Sequence, residues 1–119
     1  MDKGTYRGID INTGEYVYGF LLKHRTKDGV VSHYIADIDG GITQIVKDSF
    51  GQFVEVTDAV DRLVFQGDKV RVEVPVYDGS YSLIDIGTVV FDKGSFIVEF
   101  KDWSQYIDQF HKDEIRVVD

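Results

Sequence analysis

The chain has 119 residues, 43% of them hydrophobic and 13% aromatic, enough to fill one core and too much for a disordered segment. Thirteen basic against 21 acidic residues leave a formal net charge of −8, whose field repels phosphate backbones and anionic membrane surfaces. The lack of cysteine excludes disulfides, thiolate zinc sites and a cysteine nucleophile together, and no stretch approaches the ~20 apolar residues of a membrane span.

Met1-Asp2-Lys3-Gly4 opens the chain with no apolar run behind it, so no signal peptide is expected. Tyr6 to Ile11 reads as a first strand, closed by a tight turn at Asn12-Thr13-Gly14. Tyr16 to Lys23 returns as a second strand, with Gly19 marking a bulge or the close approach of another backbone. The polar loop Arg25-Thr26-Lys27-Asp28-Gly29 leads into a third, Val30 to Ile38, and Gly40-Gly41 turns the chain into Ile42 to Val46. Turns this short favour antiparallel neighbours, because a parallel crossover needs about a dozen residues or more.

In Lys69-Val70-Arg71-Val72-Glu73-Val74 every second residue is Val and the others are charged, the period-2 pattern of a strand with one face on a core. Pro75 cannot donate to a ladder, so it ends that strand or sits at an edge, and it makes a poor site for further edge pairing. Ser82 to Phe91 and Ser95 to Phe100 form a hairpin joined by Asp92-Lys93-Gly94, with Phe96, Val98 and Phe100 on one face. Trp103, Tyr106, Ile107 and Phe110 fall at i, i+3, i+4 and i+7, which predicts a short helix from about Asp102 to His111. That helix reads first as a lid over the open end of a small barrel, and second as an exposed surface for a partner. Ile115 to Val118 is the last strand.

Little in the sequence gathers into chemistry. Asp10-Ile11-Asn12-Thr13-Gly14-Glu15 begins like a calcium loop but has Glu15 where the EF-hand needs Gly and Leu21 where it needs an acid, so it reads as a hairpin turn. Asp37 and Asp39 share a strand face beside a Gly-Gly turn and read as a solvated strand end. His24 in a polar loop, His33 in a strand and His111 at a helix C-terminus lack zinc-ligand spacing. No Gly-x-Ser-x-Gly elbow, P-loop or dinucleotide fingerprint occurs. No metal, cofactor or catalytic residue is therefore expected, and a hydrolase is the least favoured class. Tyr16, Tyr18 and Phe20 alternate, so they share a face, which reads as core; a base-stacking platform or an oligomer contact are its alternatives. Lys23, Arg25 and Lys27 form the one basic cluster and the candidate anion contact.

Tyr6-Arg7-Gly8 followed by Thr13-Gly14-Glu15-Tyr16-Val17-Tyr18-Gly19 resembles the opening signature of the YopX family of phage and prophage proteins. Gly51-Gln52-Phe53, then Leu63-Val64-Phe65-Gln66-Gly67-Asp68-Lys69-Val70, resembles the family's second signature, with Gln66 where members carry Glu. Gly87-Thr88-Val89-Val90-Phe91 and Gly94-Ser95-Phe96 resemble its later hairpin. Val54-Glu55-Val56 replaces the usual Thr-Gly-Leu, and the chain closes on Ile115-Arg116-Val117-Val118-Asp119 rather than Val-Ile-Gly-Asn, as in a divergent member. The resemblance implies an all-β fold over 1–119, with an N-terminal hairpin region (1–47) and an SH3-like barrel region (48–119). It implies a phage-encoded protein made in the bacterial cytoplasm, and it supplies no catalytic residues. For Gly67-Asp68 the local reading suffices: a turn using Gly's positive φ, with Asp accepting nearby backbone N–H groups.

The expected function is a non-enzymatic protein-interaction module that binds an unknown host or phage protein. Homo-oligomerisation is expected through Tyr16, Tyr18, Phe20 and Tyr34, or through Trp103 and Phe110. The alternatives are a nucleic-acid-binding small barrel, which the charge opposes, and an acidic mimic that occupies a host nucleic-acid-binding protein.

Overall fold

The computed structural model describes residues 6–119, apart from the Tyr77 side chain, so Met1-Asp2-Lys3-Gly4 lies outside the described residues. The protein is all-β, with two antiparallel sheets. It forms two compact units, the first ending at Phe53 and the second spanning Val54–Asp119.

In the first unit β1 (Tyr6–Ile9) pairs with β2 (Tyr16–Arg25), which pairs with β3 (Val31–Ala36), which pairs with β4 (Ile42–Gln44). Gly51 and Gln52, the first residues of β5 (Gly51–Thr57), flank β1 on its other side. The chain after β4 then bends back to β1: Ile11 N–H donates to the Gln44 carbonyl, and Val46 N–H to that of Ile9. The sheet thereby curls around Ile35 and Ile45, which are 1% and 3% exposed. Gly19 is the close approach expected, since a Cβ there would collide with the carbonyl oxygen of Ala36.

The second unit holds the rest of β5, β6 (Leu63–Phe65), β7 (Lys69–Val76), β8 (Tyr81–Asp92), β9 (Ser95–Glu99), β10 (Ser104–Tyr106) and β11 (Ile115–Val118). Its sheet runs β10-β9-β8-β7-β11. The Val70/Val72 alternation turns both side chains inward to full burial, against Val89, Val98, Ile115 and Val117. Phe96 and Phe100 join Val98 on that face, as the hairpin reading requires. Pro75 does not end its strand, which continues to Val76; it lies beyond the last residue that β11 covers, where no ladder donor is needed. Gly67 adopts φ +94 and the Asp68 carboxylate accepts the Phe65 N–H at 2.9 Å, so this turn forms as read.

The helix expected over 102–111 is replaced by strand β10 and two 3-10 turns, Ile107–Gln109 and Lys112–Glu114. Long-range partners decide this. Ser104, Gln105 and Tyr106 pair with Glu99, Val98 and Ile97 of β9. The Trp103 indole donates to Asp85 at 3.0 Å and stacks on Phe100 at 4.1 Å. The apolar spacing serves a strand followed by a tight turn equally well, and pairing to β9 satisfies more backbone groups than one isolated helical turn.

Candidate interaction surface

The pleat of β2 sends alternate side chains to opposite faces. Leu21 pairs with buried Ile35 and faces the curl, so Phe20 and Leu22 face away. Their neighbours on that outer face are Ala36 and Tyr34 of β3, with Ile42 of β4 next in line. Phe20 is 59% exposed, Ile42 65% and Leu22 41%, and Tyr34 is half-buried. A shallow depression of about 430 Å³ is framed by Leu22, Tyr34 and Ile42, with Lys23 and His24 at its end. Tyr16 and Tyr18 lie on the same outer face, where the Arg7 guanidinium sits 4.3 Å from the centre of the Tyr16 ring.

The reading of Tyr16, Tyr18 and Phe20 as core is therefore corrected. They share a face, but the curl selects the opposite one, carrying Val17, Gly19 and Leu21. Alternation specifies which residues go together; the partners on β3 and β4 decide which set is inside.

The same pleat separates the basic cluster from the aromatics. Lys23 and Arg25 alternate with Leu22 and His24, so their side chains leave from the other face, opposite His33 and Val31. Lys27 lies in the Thr26–Gly29 turn, held by the Gly29 N–H to the Thr26 carbonyl at 3.0 Å. A single-strand groove needs stacking rings beside its cations, and the pleat turns the Lys23 and Arg25 side chains away from Phe20 and Leu22, Lys23 bordering only the end of the depression. Random duplex DNA is expected to show no binding at physiological salt in fluorescence anisotropy. Affinity that fell steeply with added salt would instead show that Lys23, Arg25 and Lys27 overcome the −8 field.

Trp103 and Phe110 belong to the second unit's core rather than to a free helical face. Trp103 stacks on Phe100 with planes 9° apart, and Phe110 meets Phe100 edge-on at 6.4 Å. They cover the core from outside as partly buried rings.

The polar candidates act locally. Asp10 accepts the Asn12 N–H at 2.8 Å, which makes its loop a turn. Asp37 and Asp39 are not on a strand face, because β3 ends at Ala36; Asp37 accepts the N–H groups of Asp39 and Gly41, both at 2.9 Å. His24 sits on β2 rather than in a loop, and the His33 ring lies 4.7 Å from that of Phe50, tilted by 33°. His111 precedes the second 3-10 turn instead of closing a helix, its N–H bonded to Glu114. Among the described residues no three His, Asp or Glu side chains gather as metal ligands.

The carboxylate that sequence reading missed is Asp58, which is fully buried. One oxygen accepts the N–H groups of Val60 and Arg62 at 3.0 and 2.9 Å; the other accepts that of Val117 at 2.9 Å. Burial pushes this carboxyl up, but the Val117, Arg62 and Val60 donors and the Arg62 charge outweigh it and hold the group below its ordinary value. The arrangement clamps the β5–β6 loop to β11. It accounts for every oxygen without a ligand, so Asp58 is a structural residue.

No helix among the described residues is long and apolar enough to cross a membrane. Compared with protein-family models and with curated proteins, the chain matches none.

Proposed function

We propose that this chain is a non-enzymatic protein-interaction module that docks a partner protein on the outer face of β2, β3 and β4. The observation that carries this reading is the contiguous apolar set Phe20, Leu22, Tyr34 and Ile42 on a solvent-facing sheet. Scattered apolar residues are ordinary on surfaces, but a set aligned across three strands marks an interaction site. At the edge strand β4, Ile42 adds backbone groups that an extended partner segment could pair with, the Gln44 carbonyl being taken by the Ile11 N–H.

The same reading assigns the chain to the YopX family as a divergent member, acting in the cytoplasm of a bacterial host on a host or phage protein. The order and spacing of Tyr6-Arg7-Gly8, Gly51-Gln52-Phe53 and Gln66-Gly67-Asp68 support it. An SH3-like roll for the second unit is supported by its apolar cluster, to which the five-stranded antiparallel sheet contributes together with Val54 of β5 and Val64 of β6. Self-association belongs to this reading as well.

Affinity capture from host lysate with the wild type and with Phe20→Ser/Ile42→Ser tests it. Both residues are mostly exposed, so each change should alter stability by about 0.5 kcal/mol or less. A protein retained by the wild type, insensitive to nuclease and lost from the variant is the expected result. Identical captures from both would overturn the docking face, and loss on nuclease treatment would point to nucleic acid.

A further inference from the structure

The second unit carries a separate unsatisfied feature. β8 pairs with β7 through Tyr81–Thr88 and with β9 only through Thr88–Asp92. Among the described residues, no strand therefore lies beside Tyr81–Gly87 on the β9 side. The ladder parity says which groups face that open flank. Val117 of β11 donates to Asp58 and the Ile115 carbonyl accepts from Ala59, so Arg116, like Val118, turns its backbone groups to β7, opposite Arg71. Arg71 thus turns its backbone groups toward β11, and alternation does the same for Glu73 and Pro75. Their β8 partners Ile86, Ile84 and Ser82 must then point outward on the opposite flank. The Ile86 N–H fits this parity, since it is taken by the Asp85 carboxylate at 2.8 Å rather than by β7.

The two flanks of this hairpin arm are managed differently. Pro75 offers no donor on the β7 side beyond the end of β11. On the β8 side Ser82 and Ile84 present two N–H and two C=O groups. Leu83 (43% exposed) stands on one face of the arm and Ile84 (53%) on the other.

We propose that a second copy of this chain occupies that edge, the two β8 strands pairing antiparallel about a two-fold axis through Leu83. In this register Ser82 and Ile84 exchange both hydrogen bonds with Ile84 and Ser82 of the other copy, using all four free groups. Leu83 meets its own copy at the axis, and with Val74 opposite each Leu83 an apolar row crosses four strands. Asp85, the one charged residue in Tyr81–Gly87, faces Tyr81 rather than another Asp85. Centring on Ile84 would require the Ile86 N–H that Asp85 already holds, and centring on Asp85 would oppose two carboxylates. The proposal concerns a different unit from the docking face above and stands independently of it.

Gel filtration with light scattering over a concentration series should show a species of twice 13.6 kDa. Ile84→Pro removes an outward N–H that the β7 ladder does not use, so it should give a folded monomer by circular dichroism. Leu83→Cys, in a chain with no other cysteine, should cross-link rapidly on oxidation, because facing residues at a non-hydrogen-bonded pair lie about 4.5 Å apart at Cα. Tyr81→Cys should not, its two copies being about 13 Å apart along the strands. A wild type that stays monomeric throughout, a dimer untouched by Ile84→Pro, or equal cross-linking of the two cysteine variants would each overturn the proposal.

Discussion

Val72→Asp is expected to unfold the second unit or to leave it on the edge of unfolding. Val72 is fully buried, with Ile115 beside it on β11 and Asp85 opposite it on β8. The substitution removes apolar contacts, buries a carboxylate without a cation and sets it against the Asp85 carboxylate. Together these cost about 3–5 kcal/mol, a large share of the roughly 5–15 kcal/mol that holds a domain folded. Arg71→Asp is the control on the neighbouring residue. Its guanidinium lies 3.2 Å from Glu73 with both side chains near half exposure, so losing that ion pair should cost about 1 kcal/mol or less. Urea unfolding followed by circular dichroism compares the two variants. Equal damage from both would mean that β7 presents the other face to the core.

The contrast between Val72 and Trp103 shows where sequence reading succeeds. Alternation of Val with Lys, Arg and Glu is a local signal, and β7 and β11 follow from it because each strand carries its own inside and outside. The stretch from Trp103 to Phe110 has spacing compatible with two structures. The choice falls to Asp85 and Phe100, and nothing in those eight residues names them as partners. Tyr16, Tyr18 and Phe20 are an intermediate case. Their common face was legible from alternation, but its exposure depends on Ile35 and Ile45 filling the opposite side of the curl. The separation of Lys23 and Arg25 from Phe20 and Leu22 was legible too, because odd and even positions on one strand cannot share a face. The β8 edge was not, since it depends on how far β9 extends.

Asp58 is the extreme case, an acidic residue in a polar loop whose buried donor, Val117, lies 59 positions away in the chain. Asp58→Ala is expected to destabilise the second unit by about 2–4 kcal/mol. The Val60 and Arg62 N–H groups lie in an exposed loop and can turn to water, but the Val117 N–H is buried and would lose its acceptor. Asp58→Asn keeps one oxygen and sets an amide NH₂ against at least one of the same donors, so it should recover only part of the loss. The pH dependence separates charge from shape. The folded-state pKa of Asp58 lies below its ordinary value, so its ionised form contributes stability that is whole above about pH 4. That contribution is lost as pH falls through the folded value, when the carboxylate takes up a proton and gives up an acceptor. Asp119, hydrogen-bonded by Arg62, shifts in the same direction and fades over the same acid range in both proteins. Urea midpoints for wild type and Asp58→Asn should therefore differ most near neutral pH and converge on acidification below pH 4. A gap that stayed constant through that range would assign the clamp to shape alone, with the negative charge contributing nothing.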